Sequence, residues 1–496
     1  MKNNVSLSDS GWNLQSSYTQ ISDKLFSELK PDAVTNPSTV IVNNELAEKL
    51  GLNLKGISEE DLSNLFSGNS LPHGSKPFAQ AYAGHQFGQF TILGDGRAHI
   101  VGEQVTPEGE IFDIQYKGSG RTPYSRGGDG KAALGPMLRE YLISEAMYYL
   151  GIPTTRSLAV VETGEKVYRE VPLKGSILTR VASSHIRIGT FQFLAAHKDY
   201  EGMKSLLDFS IKRHFSNLKF SENLAIEFIK AVMQKQINLI VEWMRVGFIH
   251  GVMNTDNSTI SGETIDYGPC AFMDHYDANT VFSSIDTQGR YSFANQPSII
   301  QWNLVRLAEC LLPLIDKDEK RSIEIAQNLI NTFSSLFKDK WLQMMKKKLG
   351  IKDQSEDDEE LINNLIKWMQ QKKPDFTNTF CNLMNYDHAG DKEFEDYEFN
   401  NWKREWKERV KSKEYLDVMM SCNPILIPRN YLVEEALSEA EIDGKLDKFN
   451  ELNKIISSPY QLKKVNIKYL ETPTKTNIPY KTCLLYTSDA ADELSC

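Results

Sequence analysis

His250-Gly251-Val252-Met253-Asn254-Thr255-Asp256-Asn257 is the stretch on which the reading of this chain turns. It follows a run in which Ile229, Met233, Ile237, Ile240 and Met244 recur at spacings of 4, 4, 3 and 4. That is the period of an amphipathic helix, and Gly247 is the residue expected to end it. Nine residues beyond Asn257 stands Asp266-Tyr267-Gly268. Two polar loops therefore follow one helix, and they carry a carboxamide, Asn257, and two carboxylates, Asp256 and Asp266.

Outward from there, toward the N-terminus, residues 80 to 128 are dense in glycine and read as strands and turns. Thr91-Ile92-Leu93, Gly94-Asp95-Gly96 and Ala98-His99-Ile100-Val101 predict a hairpin, because Asp-Gly readily takes the positive φ of a tight turn. Phe112-Asp113-Ile114-Gln115-Tyr116-Lys117 alternates apolar and polar as a strand does, before the loop Gly118-Ser119-Gly120-Arg121. Residues 131 to 150 predict a helix with Leu134, Leu138, Tyr141, Leu142 and Tyr149 on one side, stopped by Gly151-Ile152-Pro153. From about residue 200 the chain turns helical. Lys346-Lys347-Lys348 reads as a helix end and Ser355-Glu356-Asp357-Asp358-Glu359-Glu360 as a solvated helix start rather than a cation site. A strand-rich first part before a larger helical part gives an α+β fold, in the order of a two-lobed protein-kinase-like molecule.

The chemistry follows the same order. In protein kinases a glycine-rich hairpin covers the nucleotide, a strand lysine contacts phosphates, and a helix glutamate pairs that lysine. Lys117 and Glu140 or Glu145 suit those places. On a helical wheel Glu145 lies nearer the centre of the apolar stripe, where an unpaired carboxylate is costly, so other buried donors are expected to satisfy it. The kinase catalytic loop, H-R-D-x-x-x-x-N, overlays His250 on its His and Asn257 on its metal-binding Asn. Val252 then stands at the catalytic aspartate, and an aliphatic side chain cannot accept a proton. Asp266-Tyr267-Gly268 matches the metal-binding D-F-G. One amide oxygen and one carboxylate, completed by phosphate oxygens and waters, make a magnesium shell. His250 reads as a packed histidine rather than a base.

With 496 residues and 41% hydrophobic content the chain can bury a large core. A net charge of −10 and a pI near 5.6 argue against a nucleic-acid partner, and a mean hydropathy of −0.41 against a membrane one. Residues 1–30 lack the pattern of a signal peptide or presequence. Six cysteines with no C-x-x-C pair suit a reducing compartment rather than a disulfide scaffold or structural zinc site. The expectation is a soluble, cytoplasmic monomer.

Longer motifs carry a family resemblance. They are Tyr82-Ala83-Gly84-His85-Gln86-Phe87-Gly88, Leu93-Gly94-Asp95-Gly96-Arg97-Ala98, Tyr116-Lys117-Gly118-Ser119-Gly120, Thr122-Pro123-Tyr124-Ser125-Arg126 and Gly128-Asp129-Gly130. They continue through Arg139-Glu140-Tyr141-Leu142, Gly151-Ile152-Pro153-Thr154-Thr155-Arg156, the loop at 250–257 and Asp266-Tyr267-Gly268-Pro269. With these the chain resembles the SelO/YdiU family of kinase-like protein adenylyltransferases, densely over roughly residues 75 to 300 and more loosely to about 480. The resemblance implies ATP bound flipped relative to ordinary kinases, AMP transfer to Ser, Thr or Tyr hydroxyls of protein substrates, and release of pyrophosphate. It implies that Gly94, Gly96 and Arg97 line the nucleotide, that Lys117 contacts its phosphates and pairs Glu140, and that Asp129 and Gly130 contact the inverted nucleotide. Arg180 and Arg187 would grip the γ-phosphate end, Asn257 and Asp266 would hold Mg²⁺ or Mn²⁺, and Asp256 would accept the proton. UMP transfer with Mn²⁺ is a variant of this reading. The rivals are a silent nucleotide-binding scaffold and an ordinary kinase.

Residues 1–482 are expected to form one kinase-like domain, with an approximate N-lobe of 1–170 and C-lobe of 171–482. Residues 483–496 are set apart. Family members commonly finish shortly after a cysteine or selenocysteine tied to redox state, and Cys483 approaches that pattern. Leu484 to Glu493 (LLYTSDAADE) instead resembles translated adapter sequence, with an exposed helical tail as the competing reading.

Overall fold

Alternation along two neighbouring strands organises the first half of the molecule. Ile114 and Tyr116 of one strand, and Ile177 and Val181 of another, lie in an apolar layer on one face of a sheet. The residues between them, Gln115, Lys117, Leu178 and Arg180, fall on the opposite face, as the two-residue period of a strand requires. The structure is a computed structural model and describes residues 10–218, 220–386, 392–410, 414–461, 469–473 and 480–482. Cys483 and the rest of the tail lie outside them.

The strands are β1 (Leu14–Gln15), β2 (Phe26–Glu28), β3 (Ser38–Val42), β4 (Phe78–Gln86), β5 (Gln89–Gly94), β6 (Ala98–Val105), β7 (Ile111–Lys117), β8 (Ala132–Ala133), β9 (Arg156–Tyr168) and β10 (Pro172–Ala182). They form one antiparallel sheet in the order β2-β4-β6-β7-β10-β9-β3, with β1 on β6, β5 on β4 and β8 on β10. A small pair, β11 (Phe248–Ile249) and β12 (Ala271–Phe272), follows. Helices α1 (Asn44–Lys49) and α2 (Glu59–Ser67) cover the outer face of the sheet, and α3 (Leu134–Tyr149) packs on the inner one. The helical half holds α4 (Ile188–Ala196), α5 (Tyr200–His214), α6 (Leu224–Val246), α7 (Gln296–Ile315), α8 (Glu319–Asn331), α9 (Phe333–Lys348), α10 (Asp358–Lys372), α11 (Phe376–Leu383), α12 (Tyr397–Arg409), α13 (Tyr415–Cys422), α14 (Asn430–Ser438) and α15 (Asp447–Ile456). This is the two-lobed α+β kinase-like fold. The sheet runs on through Ala182, because β9 and β10 are a hairpin, so the strand-rich lobe extends past the division at 170/171.

The expected hairpin across Gly94-Asp95-Gly96 does not form. β5 pairs with β4 instead, from Ala81↔Gly94 to Gln86↔Gln89, and β6 pairs with β7. The tight turn is Phe87-Gly88, both at positive φ (48° and 89°), the turn type that matches the twist of a two-residue hairpin. Asp95 lies between the strands rather than at a tip. Its backbone N–H donates to Gln80 O (2.8 Å) and its carboxylate accepts from Gln80 N (3.1 Å), which closes the edge of β4 where β5 leaves it.

Helix ends follow the sequence closely. Gly151 (φ 75°) terminates α3 and Gly247 (φ 72°) terminates α6. α9 ends at Lys348 and α10 begins at Asp358, but these charges are not all solvated. Asp358 is 1% exposed and accepts from Lys346 (2.9 Å) and Arg409 (2.7 Å). Phe293–Ile315, which includes α7, is long and apolar enough by composition to cross a membrane. Here it is a core helix: Ile299, Ile300, Leu304, Leu307 and Leu311 are buried, and Asn303 donates to Met253 O (3.0 Å) and Ser258 Oγ (2.8 Å). Cys270, Cys310, Cys381 and Cys422 are thiols rather than disulfides.

Candidate active site

β7 and β10 are paired with Leu178 opposite Lys117 and Arg180 opposite Gln115, so lysine and arginine emerge side by side on the inner face. α3 crosses below and presents Glu140. Lys117 Nζ donates to Glu140 Oε2 (2.7 Å) and to Asp266 Oδ1 (2.9 Å). Arg180 donates from Nε to Glu140 Oε1 (2.7 Å), from Nη2 to Asp266 Oδ1 (2.5 Å) and from Nη1 to Gln115 Oε1 (3.2 Å). Glu140 is thus the partner of Lys117. Glu145, one and a half turns on, takes a bidentate pair from Arg156 (2.7 and 2.6 Å) and a bond from Asn43 Nδ2 (2.8 Å), the buried donors its position demands.

Charge accounts for the protonation of this network. Burial works against ionised Glu140, but Arg180 and Lys117 outweigh it and hold the carboxyl below its usual range. Burial likewise opposes ionised Asp266, and Arg180, Lys117 and Arg187 hold it well below that range. Arg180 is raised above its usual value, because Asp266 and Glu140 outweigh burial. Asp266 also sits at φ 62°, a left-handed conformation sparsely populated by residues other than glycine.

Arg187 is the other cation at Asp266. It is 2% exposed, with Arg180 at 1%. Its guanidinium lies 4.3 Å from the Tyr82 ring centroid, 3.7 Å from Asp95 Oδ1 and 4.0 Å from Asp266 Oδ2. Yet its Nε and Nη1 are buried without a hydrogen-bond partner among the described residues. Buried donors left without a partner are costly unless a ligand completes them, and phosphate oxygens are matching acceptors for a guanidinium. Asp95, read as a turn residue, is instead a buried partner of that arginine, with its pKa raised by burial against the pull of Arg187.

The glycine-bearing loops form a continuous rim. Arg97 O accepts from Gly118 N (2.7 Å) and Ser119 N (3.3 Å), and Gly96 O accepts from the Ser125 hydroxyl. Gly94 faces Tyr124, with only 2.4 Å between a Cβ at 94 and the ring. Gly130 (φ 69°) packs so tightly on Gly120 that a Cβ would stand 2.2 Å from its carbonyl carbon. Asp129 beside it accepts from Lys131 N (2.9 Å) and pairs with Arg169 (2.7 and 3.1 Å).

Asp256 and Asn257 lie on a single helical turn, Thr255–Asn257. Asp256 is 8% exposed and sits against Gly84 of β4 and Gly189 of α4. Asn257 Nδ2 donates to Val252 O (3.1 Å), so Oδ1 is the atom it could offer to a metal ion. The chain beyond it is tied to the arginine segment by Ile188 N–H to Ser258 O (2.9 Å). His250 is fully buried, stacks on Trp243 and bonds Ile265 O through Nε2 (2.8 Å), with its pKa lowered by burial; it is a packed histidine. Among the described residues no three or more His, Cys, Asp or Glu side chains cluster as a self-sufficient metal site. An amide oxygen and an ionised carboxylate fit a magnesium or manganese ion whose remaining ligands are phosphates and water.

Sequence reasoning missed Asp95, Gln115, Tyr82, Gly84 and Gly189. Beyond the family motif that contains Gly84, the signal at 84 and 189 is glycine within a regular element, a mark of close backbone approach.

Fold and site together are those of a kinase-like transferase. Residues 11–457 match the family model described as Protein adenylyltransferase SelO. Similar proteins bear the name Protein nucleotidyltransferase YdiU. The one from Nitrosococcus oceani is 53% identical over 470 residues, covering 94% of this chain and 95% of its own. That of Pelagibacter ubique is 50% identical, covering 95% and 99%, and that of Bacillus thuringiensis subsp. konkukian is 52% identical, covering 96% and 98%. The chain belongs to the SelO/YdiU family of protein nucleotidyltransferases.

Proposed function

We propose that this nucleotidyltransferase moves AMP from ATP, bound flipped, onto Ser, Thr or Tyr hydroxyls of cytoplasmic proteins, acting as a soluble monomer with Mg²⁺ or Mn²⁺. The observation that carries the reading is the Arg187 guanidinium, buried with two unpartnered donors beside Arg180 and Lys117. Three cations deep in the cleft suit an inward-pointing β,γ-diphosphate as leaving group. A γ-phosphoryl acceptor would need a base at position 252, and valine stands there.

In the proposed step the acceptor oxygen attacks the α-phosphorus, and the bond from that phosphorus to the α,β-bridging oxygen breaks. Pyrophosphate leaves with the electron pair, and the hydroxyl proton passes to the Asp256 carboxylate. Arg180, Arg187 and Lys117 stabilise the leaving charge, Glu140 holds Lys117 and Arg180 in place, and Gly94, Gly96, Arg97, Asp129 and Gly130 shape the rim around the nucleoside. A bound divalent ion, held by Asn257 and Asp266, supplies charge neutralisation on the phosphates.

The test is intact-mass analysis of a protein acceptor after incubation with ATP or UTP and either metal, paired with label on the α- or γ-phosphate. An adenylate adduct, α-label incorporation and equal pyrophosphate release are expected. A phosphate adduct with γ-label returns the chain to the kinases, a uridylate adduct alone changes the donor, and no adduct supports a scaffold.

A further inference from the structure

Next to the 250–257 loop that carries Asp256 lies a basic and aromatic cluster that the transfer step does not use. Trp302 of α7 lies within cation–π distance of two guanidiniums, with Arg290 at 5.1 Å and Arg306 at 5.0 Å from its ring centroid. His85 meets the same indole edge-on at 5.1 Å, and Phe90 meets His85 at 5.2 Å. His85 and Phe90 belong to the β4–β5 hairpin, so the cluster joins the hairpin to the helical lobe. It is tied to the catalytic loop. Tyr291 Oη donates to Asn254 Oδ1 (2.5 Å), Phe87 N donates to the same oxygen (3.1 Å), and His85 N donates to Thr255 Oγ1 (2.8 Å).

The charge here is only partly compensated. The Asp286 carboxylate accepts from the backbone N–H of Arg290 (2.9 Å) and of Tyr291 (2.8 Å), which engages both its oxygens. Among the described residues no carboxylate forms an ion pair with the half-buried Arg290 guanidinium, and its Nε has no hydrogen-bond partner. Arg306 pairs with Glu309 one turn along α7 (2.8 Å), but Glu309 is half exposed, and such a solvent-screened pair is weak and exchanges readily. Burial, then Arg306 and Arg290, keep the His85 imidazolium below its usual pKa despite its bond to Gln192. Phe90 (46% exposed) and Ile92 (44%) add apolar surface on the same hairpin.

Resting on the transfer reading above, we propose that this cluster is the docking surface for the acceptor segment, and that it selects hydroxyl residues flanked by Asp or Glu. A guanidinium stacked on indole is pre-organised and weakly hydrated, so a carboxylate gains a charge-assisted contact at low ordering cost. Trp and Arg in one patch, with exposed apolar side chains at its edge, have the composition of an interface hot spot.

The test uses the full chain and three fluorescein-labelled peptides that share one acceptor hydroxyl and differ in acidic, amide or basic flanks. Binding is read by anisotropy without nucleotide, and modification by mass with ATP. The acidic peptide is expected to bind about tenfold tighter than the amide one, the size of one desolvated charge pair. Arg290→Glu should abolish that preference and favour the basic peptide, with ATP affinity unchanged; Arg290→Gln should abolish it without reversal and serves if the glutamate variant does not fold. Equal binding of acidic and amide peptides, or equal weakening of all three by Arg290→Gln, overturns the proposal. Flank-dependent binding without nucleotide transfer would leave the surface standing and sink the adenylyltransfer reading; transfer indifferent to flanks would do the reverse.

Discussion

Gly84 and Asp256 touch: a Cβ at position 84 would stand 2.2 Å from Asp256 Oδ1. The strand that forms the glycine hairpin is therefore also the wall against which the proposed proton acceptor rests. Gly189 approaches from the other side, with a Cβ there 3.4 Å from Asp256 Cα and 1.9 Å from Ala83 O.

Gly84→Ala is expected to push the Asp256 carboxylate aside and lower the transfer rate about 100-fold, the cost of roughly an ångström of misplacement at a reacting group. ATP affinity should stay within about twofold, since the displaced group acts on the acceptor. Single-turnover kinetics beside nucleotide titration separates the two; an unchanged rate constant would refute the contact as a catalytic constraint.

Arg187→Lys keeps the charge but loses the fork. Weaker ATP binding by about tenfold or more is expected, with the fold retained, because a lysine cannot present two parallel donors to a phosphate. Isothermal titration with a non-hydrolysable ATP analogue measures it. Equal affinity would mean that Arg187 serves Asp95 and Tyr82 rather than the nucleotide.

Asn257→Ala and Asp266→Ala should both abolish metal-supported transfer, yet differ in stability. Asn257 makes one bond to Val252 O, whereas Asp266 neutralises Lys117, Arg180 and Arg187 together. Removing a buried partner leaves uncompensated charge, so Asp266→Ala should cost about 3 kcal/mol in urea unfolding and Asn257→Ala under about 1. Added ATP should restore part of the first deficit, since its phosphates meet the same cations.

Glu140→Gln provides the pH test. The folded Glu140 carboxyl titrates below its ordinary value of 4.5, so its contribution is full above that value and is lost as pH falls through the lower folded one. The stability gap between wild type and variant should be constant from about pH 6 to 8 and shrink below about pH 4. A gap independent of pH would show that the Lys117 and Arg180 pairs do not act through the charge of Glu140.

Lys348 titrates in the opposite sense. Its Nζ donates to Arg245 O (2.7 Å) and lies 3.7 Å from the Phe380 ring centroid, and burial pushes its pKa down to about 7. A lowered folded pKa means the unfolded chain binds more protons, so wild-type stability should rise from about pH 7 toward 9 relative to Lys348→Met. Parallel unfolding curves across that range would contradict a neutral buried amine.

Much of this was legible before any tertiary structure. Strand alternation over 112–117 put Lys117 on the polar face, and the family resemblance, rather than helical spacing, singled out Glu140 over Glu145 as its partner. Gly151 and Gly247 marked helix ends because positive φ is a local property. The Val252 substitution, with Asn257 and Asp266 at their spacings, pointed to nucleotide chemistry without an ordinary kinase base. Gly94-Asp95-Gly96 misled for the complementary reason. Its turn chemistry is real, but whether β5 pairs forward to β6 or back to β4 depends on strands competing for one edge, which no short window contains.

What the sequence determined, then, was the set of local tendencies: strand faces, helix ends and loops with the right ligands. The tertiary structure alone decided that Arg187 stacks on Tyr82 with open donors, that Asp95 is buried against it, that Arg156 answers Glu145, and that Gly84 yields its space to Asp256. Each of these joins residues from distant parts of the chain. The reason is physical: a buried charge must find its partner wherever packing brings one, and an absent side chain matters only once another element arrives to fill its place.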